Sequence, residues 1–127
     1  MRIAKALGTI AVSAGLFFSM ATNSYAADAS WYTNDGDPGG RIEWTANGDI
    51  VRVCDVEADG YAAIGYVANG ETTIYSLQAG GNGVCKTARA SDGGTHDLAE
   101  NRYYNFTICL KQSGSAPEYC DTRVFLT

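Results

Sequence analysis

The sequence predicts an all-β protein, an antiparallel immunoglobulin-like β-sandwich of about seven short strands with two disulfides. Turn dipeptides such as Asn47-Gly48 and Asn69-Gly70 recur at short intervals after the first 26 residues. Between the turns lie short runs rich in Ile, Val, Tyr, Phe and Thr, and no window there keeps a helical apolar stripe. Short strands separated by turns every 8–12 residues or so are typical of a sandwich, with a small barrel as second choice.

Seven strands are predicted, and their alternation of apolar and polar residues assigns a core face. The strands cover residues 41–46, 49–54, 61–68, 71–77, 84–87, 102–111 and 119–126. In the sixth strand Tyr104, Phe106 and Ile108 share one face, because successive side chains of a strand point to opposite sides. Trp44 lies on the apolar face of the first strand, so we expect it in the core. Cys109 has the opposite phase and is expected to point away from the core.

The first 26 residues have the pattern of a secretory signal peptide. Arg2 and Lys5 precede an apolar run over residues 6–20, and Ser24 and Ala26 supply the small residues of a cleavage site. The apolar run is shorter than the ~20 residues that a transmembrane helix needs. We therefore predict that this leader is removed and that the protein is secreted to the extracellular space.

The chain expected after cleavage is short and acidic. It comprises 101 residues, with an extended N-terminal arm over residues 27–40 and a β-sandwich domain over residues 41–127. It contains seven Lys and Arg and fourteen Asp and Glu, which gives a net charge near −7, compared with −5 for the whole sequence. An acidic surface repels phosphate groups, so nucleic acid and anionic membranes are disfavoured as partners. No later apolar segment reaches spanning length, so we expect no membrane insertion.

Four cysteines follow the leader, and an even number in a small secreted chain predicts two disulfides. Three pairings are possible. The turn-rich segment between Cys109 and Cys120 favours a bridge across a hairpin, which leaves Cys54 to pair with Cys85. A zinc site is disfavoured because no C-x2-C spacing occurs and the chain has a single histidine.

A short acidic segment resembles the first half of a calcium-binding loop. Asp55, Glu57 and Asp59 stand at the first, third and fifth positions of such a loop, and a glycine follows. The bidentate glutamate that an EF-hand needs at the twelfth position is replaced by a tyrosine. The segment therefore indicates an acidic turn, with a weak calcium site completed by Asp35 or Asp37 as the alternative. No other cofactor is predicted.

Enzymatic catalysis has little support in the sequence. The single histidine, His96, lies in a polar loop beside Asp97, without the ordered motif that surrounds a catalytic nucleophile. All four thiols are expected in disulfides, and carboxylate pairs arise easily by accident among fourteen acidic residues. We predict that the protein is not an enzyme.

Aromatic residues supply the main functional signal. Seven tyrosines and two tryptophans after the leader are more than a small core easily buries, and such residues often anchor interfaces. Trp31 and Tyr32, together with Asp35, are the candidate partner-binding residues of an arm that docks into a groove or adds to a sheet edge. The alternative is that this segment folds back over the open end of the domain. A second candidate surface, a stacking platform for sugar rings, consists of Tyr75, Tyr103 and Tyr119.

Several turn and cysteine features recur in a recognisable order: DPGG at 37–40, GDIVRVCD at 48–55, ADGY at 58–61, and the later cysteines. This pattern resembles small secreted, disulfide-bonded β-sandwich proteins of filamentous Gram-positive bacteria. Some proteins of this kind are adaptors in umbrella-shaped antibacterial toxin particles, so the resemblance implies a non-enzymatic linker between a lectin-bearing subunit and a toxin stalk. The predicted function is a secreted protein-binding module or adaptor, with secreted proteins as partners. A small inhibitor, a carbohydrate-binding module and a calcium-stabilised β domain are the alternatives.

Overall fold

The computed structural model describes residues 27–127, so the predicted signal peptide lies outside the described residues. Within this range eight strands form two four-stranded sheets in which all neighbours are antiparallel. The strands are β1 (Ala29–Tyr32), β2 (Gly40–Thr45), β3 (Ile50–Asp55), β4 (Ala62–Asn69), β5 (Thr72–Ala79), β6 (Cys85–Ala88), β7 (Tyr103–Lys111) and β8 (Glu118–Leu126). The first sheet has the order β1-β2-β3-β6 and the second has the order β5-β4-β7-β8.

The prediction of an antiparallel β-sandwich is confirmed. Each of the seven predicted strands is present, with its ends shifted by no more than two residues. The β2–β3 turn differs in detail, because the positive φ angles belong to Gly48 (97°) and Asp49 (50°) and not to Asn47. The loop is thus a four-residue turn over 46–49 in which the Asp49 N–H donates to the Ala46 carbonyl at 3.2 Å.

The hydrophobic core lies between the sheets and is built from alternate residues of the strands. At its centre the rings of Trp44 and Phe106 pack with centroids 4.4 Å apart, and both side chains are buried. Gly65 of β4 allows the sheets to approach closely, because a Cβ atom there would overlap a methyl group of Val53 and lie 3.3 Å from Ile42. The core position predicted for Trp44 is therefore confirmed.

Both disulfides form in the predicted pairing. Cys54 and Cys85 are directly opposite each other on β3 and β6, and Cys109 and Cys120 join β7 to β8. Cys120 is exposed whereas Cys109 is 1% exposed, so the second bridge is half-buried and not the surface staple that strand phase predicts. The register of the β7–β8 pair shifts beside Cys109, which changes the local alternation. Two disulfides are typical of an oxidising, extracellular environment.

The extended arm predicted over residues 27–40 is corrected by the structure. Residues Ala29–Tyr32 form β1, which pairs with β2 from Ala29↔Trp44 to Tyr32↔Arg41. The sandwich domain therefore begins before residue 41, because the first sheet includes this strand as an edge. Within residues 27–127, no helix has the length and apolar character needed to cross a membrane.

Candidate functional site

Trp31, the first of the predicted partner-binding residues, lies in the core. Its side chain is 2% exposed and its ring centroid is 5.6 Å from that of Phe125. The indole Nε1–H donates to the carbonyl of Asp121 at 3.2 Å, and the Arg123 guanidinium lies 5.2 Å from the ring centroid. The prediction that Trp31 contacts a partner is therefore wrong, because both its apolar surface and its polar atom are used within the domain.

Tyr32 and Asp35 lie in different surroundings from Trp31. The side chain of Tyr32 is 46% exposed, because it has the opposite phase in β1. Asp35 is half-buried and accepts a hydrogen bond from the hydroxyl of Thr33 at 2.6 Å. The same hydroxyl accepts from the N–H of Gly40 at 3.2 Å, so Asp35 helps to close the loop between β1 and β2. Of the three predicted residues, Tyr32 alone keeps a largely exposed side chain.

Asp55, the first residue of the predicted calcium loop, has a structural role. It is 1% exposed, and its carboxylate accepts hydrogen bonds from the N–H of Gly81 at 2.8 Å and of Glu57 at 3.2 Å. Its main chain is also paired, since its carbonyl accepts from Gly83 and its N–H donates to Val84. Both carboxylate oxygens are thus engaged by the protein, and Asp55 joins the end of β3 to the loop before β6.

The carboxylates of Glu57 and Asp59 take no part in the hydrogen bonds of the Asp55 carboxylate. The carboxylate of Asp59 accepts from the N–H of Tyr61 at 3.0 Å and so closes a local turn. Desolvation raises the pKa of Glu57, and repulsion from Asp37 and Asp59 raises it further. Among residues 27–127, no group of three His, Cys, Asp or Glu side chains is placed to hold a metal ion. The segment thus has the hydrogen bonds of the acidic turn that the sequence favours over a calcium site.

His96 packs as part of the fold. It ends the short 3-10 helix Gly94–His96, and its ring meets that of Tyr75 edge-on with centroids 4.6 Å apart. Tyr75 is 9% exposed, and burial raises the pKa of its hydroxyl well above the ordinary value. Tyr75 therefore cannot belong to a surface platform for sugar rings.

The other two tyrosines of that platform are exposed but far apart. Tyr103 begins β7 opposite Leu126, whereas Tyr119 lies at the other end of β8. The platform predicted from Tyr75, Tyr103 and Tyr119 is therefore wrong, because a strand of this length separates its exposed members by about 20 Å.

A different exposed cluster lies on the outer face of the second sheet. Tyr103 is 66% exposed, Val124 is 54% exposed and Leu126 is 50% exposed. Tyr103 and Leu126 are cross-strand neighbours, and Val124 lies two residues before Leu126 on the same face. We call these three residues the β7–β8 patch. The sequence carries a signal for this patch, because residues 124–126 are all apolar. Successive side chains of a strand alternate between the core and the solvent, so at least one of the three must be exposed.

The patch adjoins an open sheet edge. β8 is the last strand of its sheet, and among the described residues no other strand pairs with its outer side. Contacts from the β1 side cover its first half, where the N–H of Asn34 donates to the Tyr119 carbonyl at 2.9 Å and Trp31 reaches the Asp121 carbonyl. No hydrogen bond from the β1 side reaches the backbone of residues 122–126 in the part of the chain that the structure describes, although the side chains of Arg123 and Phe125 pack on Trp31.

Comparisons with known proteins do not assign the chain to a family. No family model matches it, and neither do the curated proteins or the solved structures. The candidate site therefore depends on geometry alone. An exposed apolar patch beside unpaired backbone groups can bind an extended polypeptide, which would add a strand to the sheet and cover the patch with its side chains.

Proposed function

We propose that this protein is a secreted, non-enzymatic protein-binding module that joins subunits of a larger secreted complex. The observation that carries the proposal is the β7–β8 patch beside the open half of β8. The resemblance to adaptors of antibacterial toxin particles suggests the more specific role of linking a lectin-bearing subunit to a toxin stalk. The occupant of the patch is then an extended segment of one of those subunits.

Strand addition suits both parts of this surface. On the free side of β8, the outward-facing N–H and C=O groups of residues 122–126 can form hydrogen bonds with an added strand, whereas the groups that face β7 are already paired. Val124 and Leu126 lie on the sheet face that such a strand would extend, so alternate side chains of the partner would pack against them. The main-chain bonds give affinity, and the patch gives a preference for apolar side chains at alternate positions of the partner.

A pull-down from culture medium tests this proposal. Tagged wild-type protein should recover a secreted protein partner, and Val124→Arg should recover at least tenfold less, because a charge would have to be buried at the contact. Ser76→Arg is the matched control, since Ser76 is exposed on β5 at the opposite edge of the same sheet. A melting curve for each variant checks that the fold is kept.

Two results would overturn the proposal. The first is that the wild-type protein recovers no partner from the medium. The second is that Val124→Arg recovers the partner as well as Ser76→Arg does, which would place the contact on another surface.

A further inference from the structure

A second surface feature, independent of the β7–β8 patch, is a groove at one end of the sandwich whose lining includes several polar side chains. Its volume is about 630 Å³. Three loops line it, those after β3, after β5 and after β7. This size is within the roughly 300–1,000 Å³ of ordinary small-ligand sites. We call this feature the loop-end groove.

The walls of the groove are held in place before any ligand binds. Asp55 joins the loop after β3 to the loop after β5 through the hydrogen bond from Gly81. The Cys54–Cys85 disulfide lies directly beside that junction, and the Cys109–Cys120 disulfide closes the loop after β7. A site held in this way loses little conformational freedom on binding, which favours affinity.

The lining of the groove offers hydrogen bonds of both kinds. Gln78, Asn82 and Gln112 each carry an amide that donates and accepts in one plane. All three residues are exposed, so their amides are available to a ligand. Tyr61 adds a hydroxyl on an aromatic ring, and Lys111 adds a donor on the wall formed by β7.

The same lining disfavours other ligand classes. Phosphates and other anions would meet the carboxylates of Glu57 and Asp59, and the protein is acidic overall. An apolar ligand would leave the amides without partners, which is costly. A neutral ligand that has many adjacent hydroxyl groups satisfies paired donors and acceptors best. We propose that the loop-end groove binds a neutral saccharide.

NMR titration of the ¹⁵N-labelled protein tests this proposal. The probes are free glucose, mannose, galactose and N-acetylglucosamine, each added up to about 50 mM, which detects dissociation constants of roughly 10 mM. At least one sugar should shift the amide signals of Gly60, Gly81 and Gly114 in a saturable manner. Absence of such shifts with all four sugars would overturn the proposal.

Variants then locate the binding. Gln78→Ala and Gln112→Ala should each weaken the sugar affinity about tenfold, the effect of one lost hydrogen bond. Ser76→Ala is the matched control, because Ser76 is exposed on the same face of β5 two residues from Gln78 and does not line the groove. Unchanged affinity in both glutamine variants would refute the site.

The experiments distinguish failure of the saccharide proposal from failure of the protein-binding proposal. Val124→Arg should lose the protein partner and keep the sugar shifts. If Gln78→Ala loses the protein partner and no sugar shifts the wild-type spectrum, the groove is a protein-binding surface and the saccharide proposal is wrong.

Discussion

Replacement of Trp31 by alanine distinguishes a core strand from a free arm. If β1 were an arm, Trp31→Ala would leave the stability of the domain unchanged. In the structure the side chain is 2% exposed, packs against Phe125 and donates a hydrogen bond to the Asp121 carbonyl. The substitution therefore removes a large buried side chain at the side of the sandwich where β1 meets β8.

The expected loss of stability is about 3–5 kcal/mol. A buried tryptophan covers about 150–250 Å². At about 25 cal/mol per Å² this burial corresponds to roughly 4–6 kcal/mol, an upper estimate because unfolded chains already bury some apolar surface. Measured Trp→Ala changes in cores fall at about 3–5 kcal/mol. The packing of the Arg123 guanidinium on the ring is lost as well.

Urea denaturation measures this loss, and Tyr32→Ala is the matched control. Tyr32 is the next residue of β1 and is 46% exposed, so its replacement should cost less than about 1 kcal/mol. A loss below about 1 kcal/mol for Trp31→Ala, equal to that of Tyr32→Ala, would refute the core position of β1.

Three further predictions concern packing, cross-linking and charge. Gly65→Ala should lower the free energy of unfolding by roughly 1–3 kcal/mol in urea denaturation, because the added Cβ would overlap a valine methyl group of β3. Gly36→Ala is the control and should be neutral, since no atom lies within 4 Å of a Cβ placed there. Equal effects of the two would contradict the close approach of the sheets. Replacement of Cys109 and Cys120 by serine should cost about 2.8 kcal/mol by the loop-entropy model for a separation of 11 residues, measured in the same way. Burial raises the pKa of Asp49 above its ordinary value of 3.8, opposed by a hydrogen bond from the Leu98 N–H and assisted by nearby carboxylates. The folded protein therefore favours the neutral form of Asp49. The contribution of Asp49 to the free energy of unfolding is complete below pH 3.8 and is lost as the pH rises through the folded-state pKa. Asp49→Asn should therefore raise the melting temperature at pH 7 relative to wild type and leave it unchanged near pH 3, and a lower melting temperature at pH 7 would contradict this.

Local patterns were sufficient for most of the fold. Glycine and asparagine at turns and the alternation in strands such as β7 are properties of neighbouring residues, so seven strands follow from sequence. The sequence does not predict β1, because the burial of this strand depends on distant groups. The hydrogen bond from Trp31 joins residues 90 positions apart, and no local pattern reports such a contact.

The acidic segment over residues 55–59 also shows that local sequence patterns do not report contacts between distant residues. The spacing of Asp55, Glu57 and Asp59 is compatible with metal binding, yet the carboxylate of Asp55 is taken by the N–H of Gly81, 26 positions away. The glycine-rich loop that carries this N–H looks in sequence like an ordinary turn. Only the fold shows that Asp55 shapes the wall of the loop-end groove and is not a free ligand.

The relative placement of the two proposed surfaces has a functional consequence. The loop-end groove lies at the end where β7 leads into β8, whereas Tyr103 and Leu126 lie at the opposite end of the same strand pair. Eight residue steps along β8 separate these ends, about 26 Å at the usual rise of a strand. The two surfaces share no residue, so on these proposals a saccharide and a protein segment can bind at the same time. On the two proposals together, the module holds a glycan at one end while its edge strand stays attached to a larger complex.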